Sequence, residues 1–186
     1  MSTRTTLRYD DVEVGDQLPP LDLPVTRTLI VSTAIATRDY QDVHHDPSLA
    51  LERGSPDIFM NILTTNGLVA RYITDWSGPE TFVRAIRIRL GAPNYPGDTM
   101  RMMGTVSEKA DGVVTVTVKG SNRLGDHVTG TVDLALPAQP SDVPGGGRAT
   151  KSGKATKAGK ATKAGKATKA GKAKKAGKAK KKGRDQ

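Results

Sequence analysis

The chain has no cysteine, three histidines, one Trp and two Phe among its 186 residues. Without cysteine there is no disulfide, no thiolate nucleophile and no cysteine-based zinc site, and three scattered histidines argue against a metal centre, so none is expected. No stretch approaches the ~20 apolar residues of a membrane span. The opening residues Met1 to Thr6 lack the apolar run of a signal peptide, so a cytoplasmic protein is expected.

Negative charge is also nearly missing from one end. Of the 29 Lys and Arg residues, 16 lie in residues 145–186 beside a single acid, Asp185, which gives that segment a formal charge of +15 and leaves residues 1–144 at −5. The net +10 therefore belongs to a tail. Residues 152–181 repeat Ala-Gly-Lys-Ala-(Thr/Lys)-Lys with a period of six, the first copy opening with Ser152. Lysine recurs at every third position, including Lys154, Lys157, Lys160, Lys163, Lys166, Lys169, Lys172 and Lys175. Glycine in each copy and the lack of apolar bulk argue for disorder. Such a run would hold DNA, RNA or polyphosphate through counterion release without reading sequence; the other reading is a solubilising appendage.

What remains divides into an N-terminal arm over 1–24, a domain over 25–137 and a linker over 138–150, ahead of the 151–186 tail. Thr26 to Val31 carries the β-branched run of a first strand. Ser32 or Thr33 can cap a short helix from Ala34 to about Tyr40, and Asp46-Pro47 reads as the cap and first position of another that Gly54 ends. Apolar residues from Ile58 to Trp76 cover most of a helix circumference, as in a helix of about five turns surrounded by protein, with Gly67 permitting close approach of a sheet. Thr81 to Leu136 is strand and turn: Ile86, Ile88 and Leu90 alternate with Arg87 and Arg89, Val114, Val116 and Val118 with threonines and a lysine, and Asp111-Gly112 is a hairpin signal. One buried helix and five strands with one apolar face imply an α+β domain in which a curved antiparallel sheet wraps the helix.

Arg38-Asp39-Tyr40-Gln41-Asp42-Val43-His44-His45-Asp46-Pro47 holds two of the three histidines. On a continuous helix, five residues turn through about 500°, so Asp39 and His44 converge only if the chain bends between them. A carboxylate and an imidazole meeting at one water form a general acid/base pair. Spacing alone favours the simpler reading, in which Asp39 ends a helix and His44 is a half-buried loop residue.

The arm Tyr9 to Asp16, the Asp39…His44…Asp46-Pro47 spacing, the long helix and Pro93-Asn94-Tyr95-Pro96-Gly97-Asp98 together resemble the MaoC-type R-specific enoyl-CoA hydratases, which have the hot-dog fold. The family signature is Gly-Asp-x-Asn-Pro-(aliphatic)-His, and its acid/base residues fall on Asp39 and His44. Arg38, Gln41 and Asp42 replace its Gly, Asn and Pro. Ile30 to Asp46, Asp57 to Leu63 and Leu124 to Thr129 are similar to the small-subunit branch found in actinobacterial steroid side-chain degradation.

The resemblance implies syn addition of water to a trans-2-enoyl-CoA without a cofactor. Asp39 and His44 would hold the water, and backbone N–H groups near Met60 and Asn61 would receive the thioester oxyanion. Arg87 and Arg89 are candidates for the CoA phosphates, or a solvated charge stripe. The resemblance also implies a second MaoC-like subunit with a zinc-binding OB-fold domain, and a thiolase-like aldolase beyond it. Two other functions remain open: a non-catalytic acyl-CoA-binding subunit, and nucleic-acid binding through the tail. The acidic folded part and the lack of a groove-reading module stand against the last.

Overall fold

In a computed structural model of the chain, residues 5–138 are described. Most of the 138–150 linker and the whole lysine repeat, Lys154 to Lys175 included, lie outside the described residues.

The alternating valines form strand β4, Val113–Asn122. Asp111 (φ 50°) and Gly112 (φ 73°) connect it to β3, Thr99–Ala110. Both turn residues are left-handed, as a two-residue hairpin of this twist requires. With β1 (Leu21–Pro24), β2 (Phe82–Leu90) and β5 (Gly125–Ala135), they make one antiparallel sheet in the order β1-β3-β4-β5-β2. One face presents Met100, Met102, Val106, Val116, Val132 and Leu134, all but inaccessible to water. Against it packs the long helix α3, Ile62–Ser77, through Leu68, Val69, Tyr72 and Ile73. This is the expected hot-dog arrangement.

Gly104 on β3 lets helix and sheet approach: a Cβ there would lie 3.2 Å from Tyr72 Cε1 and 3.1 Å from Leu18 Cδ2. Gly67, expected to serve this purpose, has open space around it.

Three expected elements are placed differently. Thr26 to Val31 is not a strand: it caps and begins helix α1, Arg27–Ala36. The Thr26 hydroxyl accepts the Leu29 N–H at 3.0 Å, which also displaces the expected Ser32 or Thr33 cap. Those hydroxyls instead turn back on the Leu29 carbonyl. Ile30 and Ala34, four residues apart on one helix face, are buried, so packing overrides the β preference of branched residues. The first strand is Leu21–Pro24, within the segment read as an arm, and Val12, Leu18 and Leu23 share the common core.

The long helix begins at Ile62 rather than Ile58. Extended pairing takes the preceding N–H groups, Phe59 donating to the Val43 carbonyl and Met60 to that of Asn94. Its burial is one-sided: Thr64, Thr65, Leu68, Val69, Tyr72 and Ile73 are covered, while Ile62 and Leu63 remain about half exposed (49% and 47%).

Candidate active site

The bend that brings Asp39 to His44 begins at the end of α1. The Asp39 N–H donates to the Ala34 carbonyl (2.9 Å) and the Arg38 N–H to that of Ile35 (3.0 Å), a Schellman closure with Arg38 in the left-handed conformation at φ 58°. Arg38 stands where the signature has glycine, and it adopts the backbone glycine would take readily. The loop shape thus survives the substitution, at roughly 1 kcal/mol for a non-glycine residue.

A single 3-10 turn, Asp42–His44, then carries His44 inward. Asp46 fixes the exit: its carboxylate accepts the N–H groups of Ser48 (2.9 Å) and Leu49 (3.1 Å) and caps α2, Pro47–Glu52, as expected. Asp42 is held by Arg53. Tyr40, Gln41, Asp42, Val43 and Arg53 line a cleft of about 420 Å³ along this connection.

The result is a facing pair. His44 Nε2 lies 3.5 Å from Asp39 Oδ2, with the imidazole buried and the carboxylate partly open (22%). His44 Nδ1 is 2.7 Å from the Phe59 carbonyl oxygen, and the Phe59 ring stands edge-on to the imidazole at 5.0 Å. A carbonyl oxygen only accepts, so Nδ1 carries the hydrogen and the Nε2 lone pair is turned towards Asp39. His45 is exposed, near the Tyr40 carbonyl, and takes no part.

Of the two backbone donors expected for the oxyanion, Met60 is not available, since its N–H is given to Asn94 (3.1 Å). The Asn61 N–H has no acceptor among the described residues. Sequence reasoning missed the Asn61 side chain. It is buried (3% exposed) and donates from Nδ2 to Asp39 Oδ2 and to Thr37 Oγ1, both at 3.0 Å. The signal was an Asn at the start of a helix, which reads as a cap and hides a second bond.

Arg87 and Arg89 are exposed on β2, and the structure brings neither into contact with Asp39 or His44. Arg87 pairs with Asp133 at 2.6 Å and, with Thr115, holds that carboxyl below its usual range against the opposing effect of burial. Arg89 borders a shallow depression with Leu90, Gly91, Asp126 and Thr129. Among the described residues, no group of three or more His, Asp or Glu is placed to hold a metal ion, and no helix is long and apolar enough to cross a membrane.

Residues 12–127 match the family model described as the MaoC like domain. The chain belongs to the MaoC-like family. Over 123 residues this MaoC-like chain is 55% identical to the 3-oxo-4,17-pregnadiene-20-carboxyl-CoA hydratase beta subunit of Mycobacterium tuberculosis, covering 66% of itself and 95% of that protein. A crystal structure of the ChsH1-ChsH2 complex from the same organism superposes with TM-score 0.66 at 55% identity, over 67% of this chain and 98% of that one. The unliganded R-hydratase PhaJ1 of Pseudomonas aeruginosa, 20% identical, matches with TM-score 0.67 over 72% of this chain and 88% of its own. That likeness shows the fold alone.

Proposed function

We propose that this MaoC-like chain is the acid/base subunit of a heteromeric enoyl-CoA hydratase acting on a steroid side-chain CoA ester. The observation that carries the reading is the Asp39–His44 pair, 3.5 Å apart with the imidazole tautomer fixed by Phe59. A water between them gives its proton to His44 Nε2 as its oxygen bonds to Cβ of the trans-2-enoyl thioester. The Asp39 carboxylate accepts the water's other hydrogen and orients it, and the proton returns from Nε2 to Cα on the same face. Charge developing on the thioester oxygen meets the N-terminus of α3, where the Asn61 N–H is the remaining donor. The steroid class is supported by the name of the 55% identical relative.

The half-exposed Ile62 and Leu63 on the first turn of α3 support a partner. We place there a second MaoC-like chain, carrying a zinc-binding OB-fold domain and associated in turn with a thiolase-like aldolase. Alone, the chain is expected to be poorly active; high activity from a pure homodimer would remove the partner. Arg89, free of the Asp133 pairing that occupies Arg87, is the better candidate for a CoA phosphate.

The rival reading is an acyl-CoA-binding subunit in which Asp39 and His44 only shape the loop. Hydration by the assembled complex carrying Asp39→Asn or His44→Ala separates the two: acid/base work puts the loss in kcat, and unchanged turnover in both would leave only binding. The lysine tail we assign to non-specific polyanions such as DNA, RNA or polyphosphate. Deleting residues 145–186 should leave kcat intact and abolish retention on DNA at low salt. Binding by the intact chain should weaken with salt, with a slope of at most ~0.9 per neutralised phosphate. DNA binding that survives deletion or ignores salt would refute that assignment.

A further inference from the structure

We propose that the side-chain carboxamide of Asn61 is a positioning residue that holds the Asp39 carboxylate in its working orientation, a role separate from the capping of α3. The inference rests on the hydratase reading of Asp39 and His44.

The orientation of the amide is determined by its surroundings. Asn61 Oδ1 accepts the Thr64 N–H at 2.9 Å, the capping bond of the helix. Nδ2 must then face the other way, where its hydrogens meet Thr37 Oγ1 and Asp39 Oδ2, each at 3.0 Å. The Thr37 hydroxyl spends its own hydrogen on the Thr33 carbonyl (2.7 Å), so towards Asn61 it is an acceptor. Turning the amide over would put an oxygen against two acceptors and an NH₂ against the Thr64 donor. All three bonds agree on one orientation.

The carboxylate oxygen that receives Asn61 is also the one facing His44 Nε2 at 3.5 Å. Fixing that oxygen fixes the separation of acid and base. The backbone of Asn61 is held as well: its carbonyl accepts the Thr65 N–H at 3.2 Å, while the Thr65 hydroxyl meets Nε2 of the buried His127 at 2.9 Å. One residue thus starts the helix and ties it to the end of α1, with Asp39 as the object held.

Capping and positioning can be separated because Ser and Asp both cap helices well while neither reproduces the donor. Serine is too short to reach Asp39, and aspartate presents an oxygen to it. In the assembled complex with an enoyl-CoA substrate, Asn61→Ser is expected to keep the melting temperature near wild type and Asn61→Asp to lower it by setting a second carboxylate against Asp39, while both keep KM within about threefold and lower kcat about 10- to 100-fold. Adding Asn61→Ser to Asp39→Asn should cost nothing further, since the group to be held is already altered. If either variant keeps kcat within twofold, or if the losses multiply in the double variant, the positioning role is wrong. If neither variant assembles, Asn61 is a scaffold residue and the proposal also fails. Should Asp39→Asn and His44→Ala themselves retain turnover, the hydratase reading falls first, and that outcome is distinguishable because it appears with Asn61 intact.

Discussion

His44 and His127 are built almost alike and placed for opposite ends. Both are buried, at 6% and 2% exposure, and the Nδ1 of each sits 2.7 Å from a backbone carbonyl, Phe59 for one and Ala92 for the other. They differ in what Nε2 meets. For His44 it is a partly open carboxylate, and for His127 a buried threonine hydroxyl at 2.9 Å. The second environment satisfies the imidazole without giving it access to water, and burial pushes its pKa down against the smaller effect of the Ala92 carbonyl. A histidine's chemistry therefore follows from the group opposite its second nitrogen, and burial with a fixed tautomer is common to both roles.

The largest effect on stability should come from His127. Replacing it with Ala leaves a cavity and an unpaired Ala92 carbonyl, and leaves Thr65 Oγ1 only its 3.3 Å contact with the Asn61 carbonyl. Denaturant unfolding is expected to show a loss of about 2–4 kcal/mol. A loss below about 1 kcal/mol would mean that the pairing with Thr65 contributes little, and the comparison would lose one side.

A smaller effect is acid-dependent. With its folded pKa below the unfolded value of about 6.5, His127 is protonated first in the unfolded chain. Its contribution is whole above that pH and declines as pH falls through about 6.5 towards the folded pKa, by at most ~1.4 kcal/mol per pH unit. The difference in stability between wild type and His127→Gln should therefore shrink as pH is lowered from 7 to 5. A difference that stays constant or grows would place the imidazole in the charged form inside the fold.

The smallest effect concerns the bend itself. Arg38→Gly removes a left-handed non-glycine residue, and a gain of about 0.5–1 kcal/mol with unchanged kcat is expected, tempered by the added freedom of glycine in the unfolded chain. A drop in kcat would show that the arginine side chain does more than follow the turn.

Asp39, His44 and the Asp46-Pro47 helix start were legible in the sequence because their signals are local or belong to a family motif. The alternating valines and Asp111-Gly112 were legible for the same reason. Thr26 to Val31 misled because its branched residues favour a strand in isolation, while the Thr26 cap and the burial of Ile30 and Ala34 make it helical. Met60 lost its expected role through a bond to Asn94, 34 residues away, and Asn61 gained one through Asp39, 22 residues before it. Contacts at such separations leave no pattern in one chain. The Thr65 partner of His127, 62 residues before it, was hidden for the same reason.

The most direct test of the acid/base reading is the turnover of the assembled complex at saturating enoyl-CoA with His44→Ala, alongside its melting temperature. The account predicts a loss in kcat of about 10²- to 10⁴-fold in a complex that still assembles and melts above the assay temperature. Turnover within threefold of wild type would contradict it.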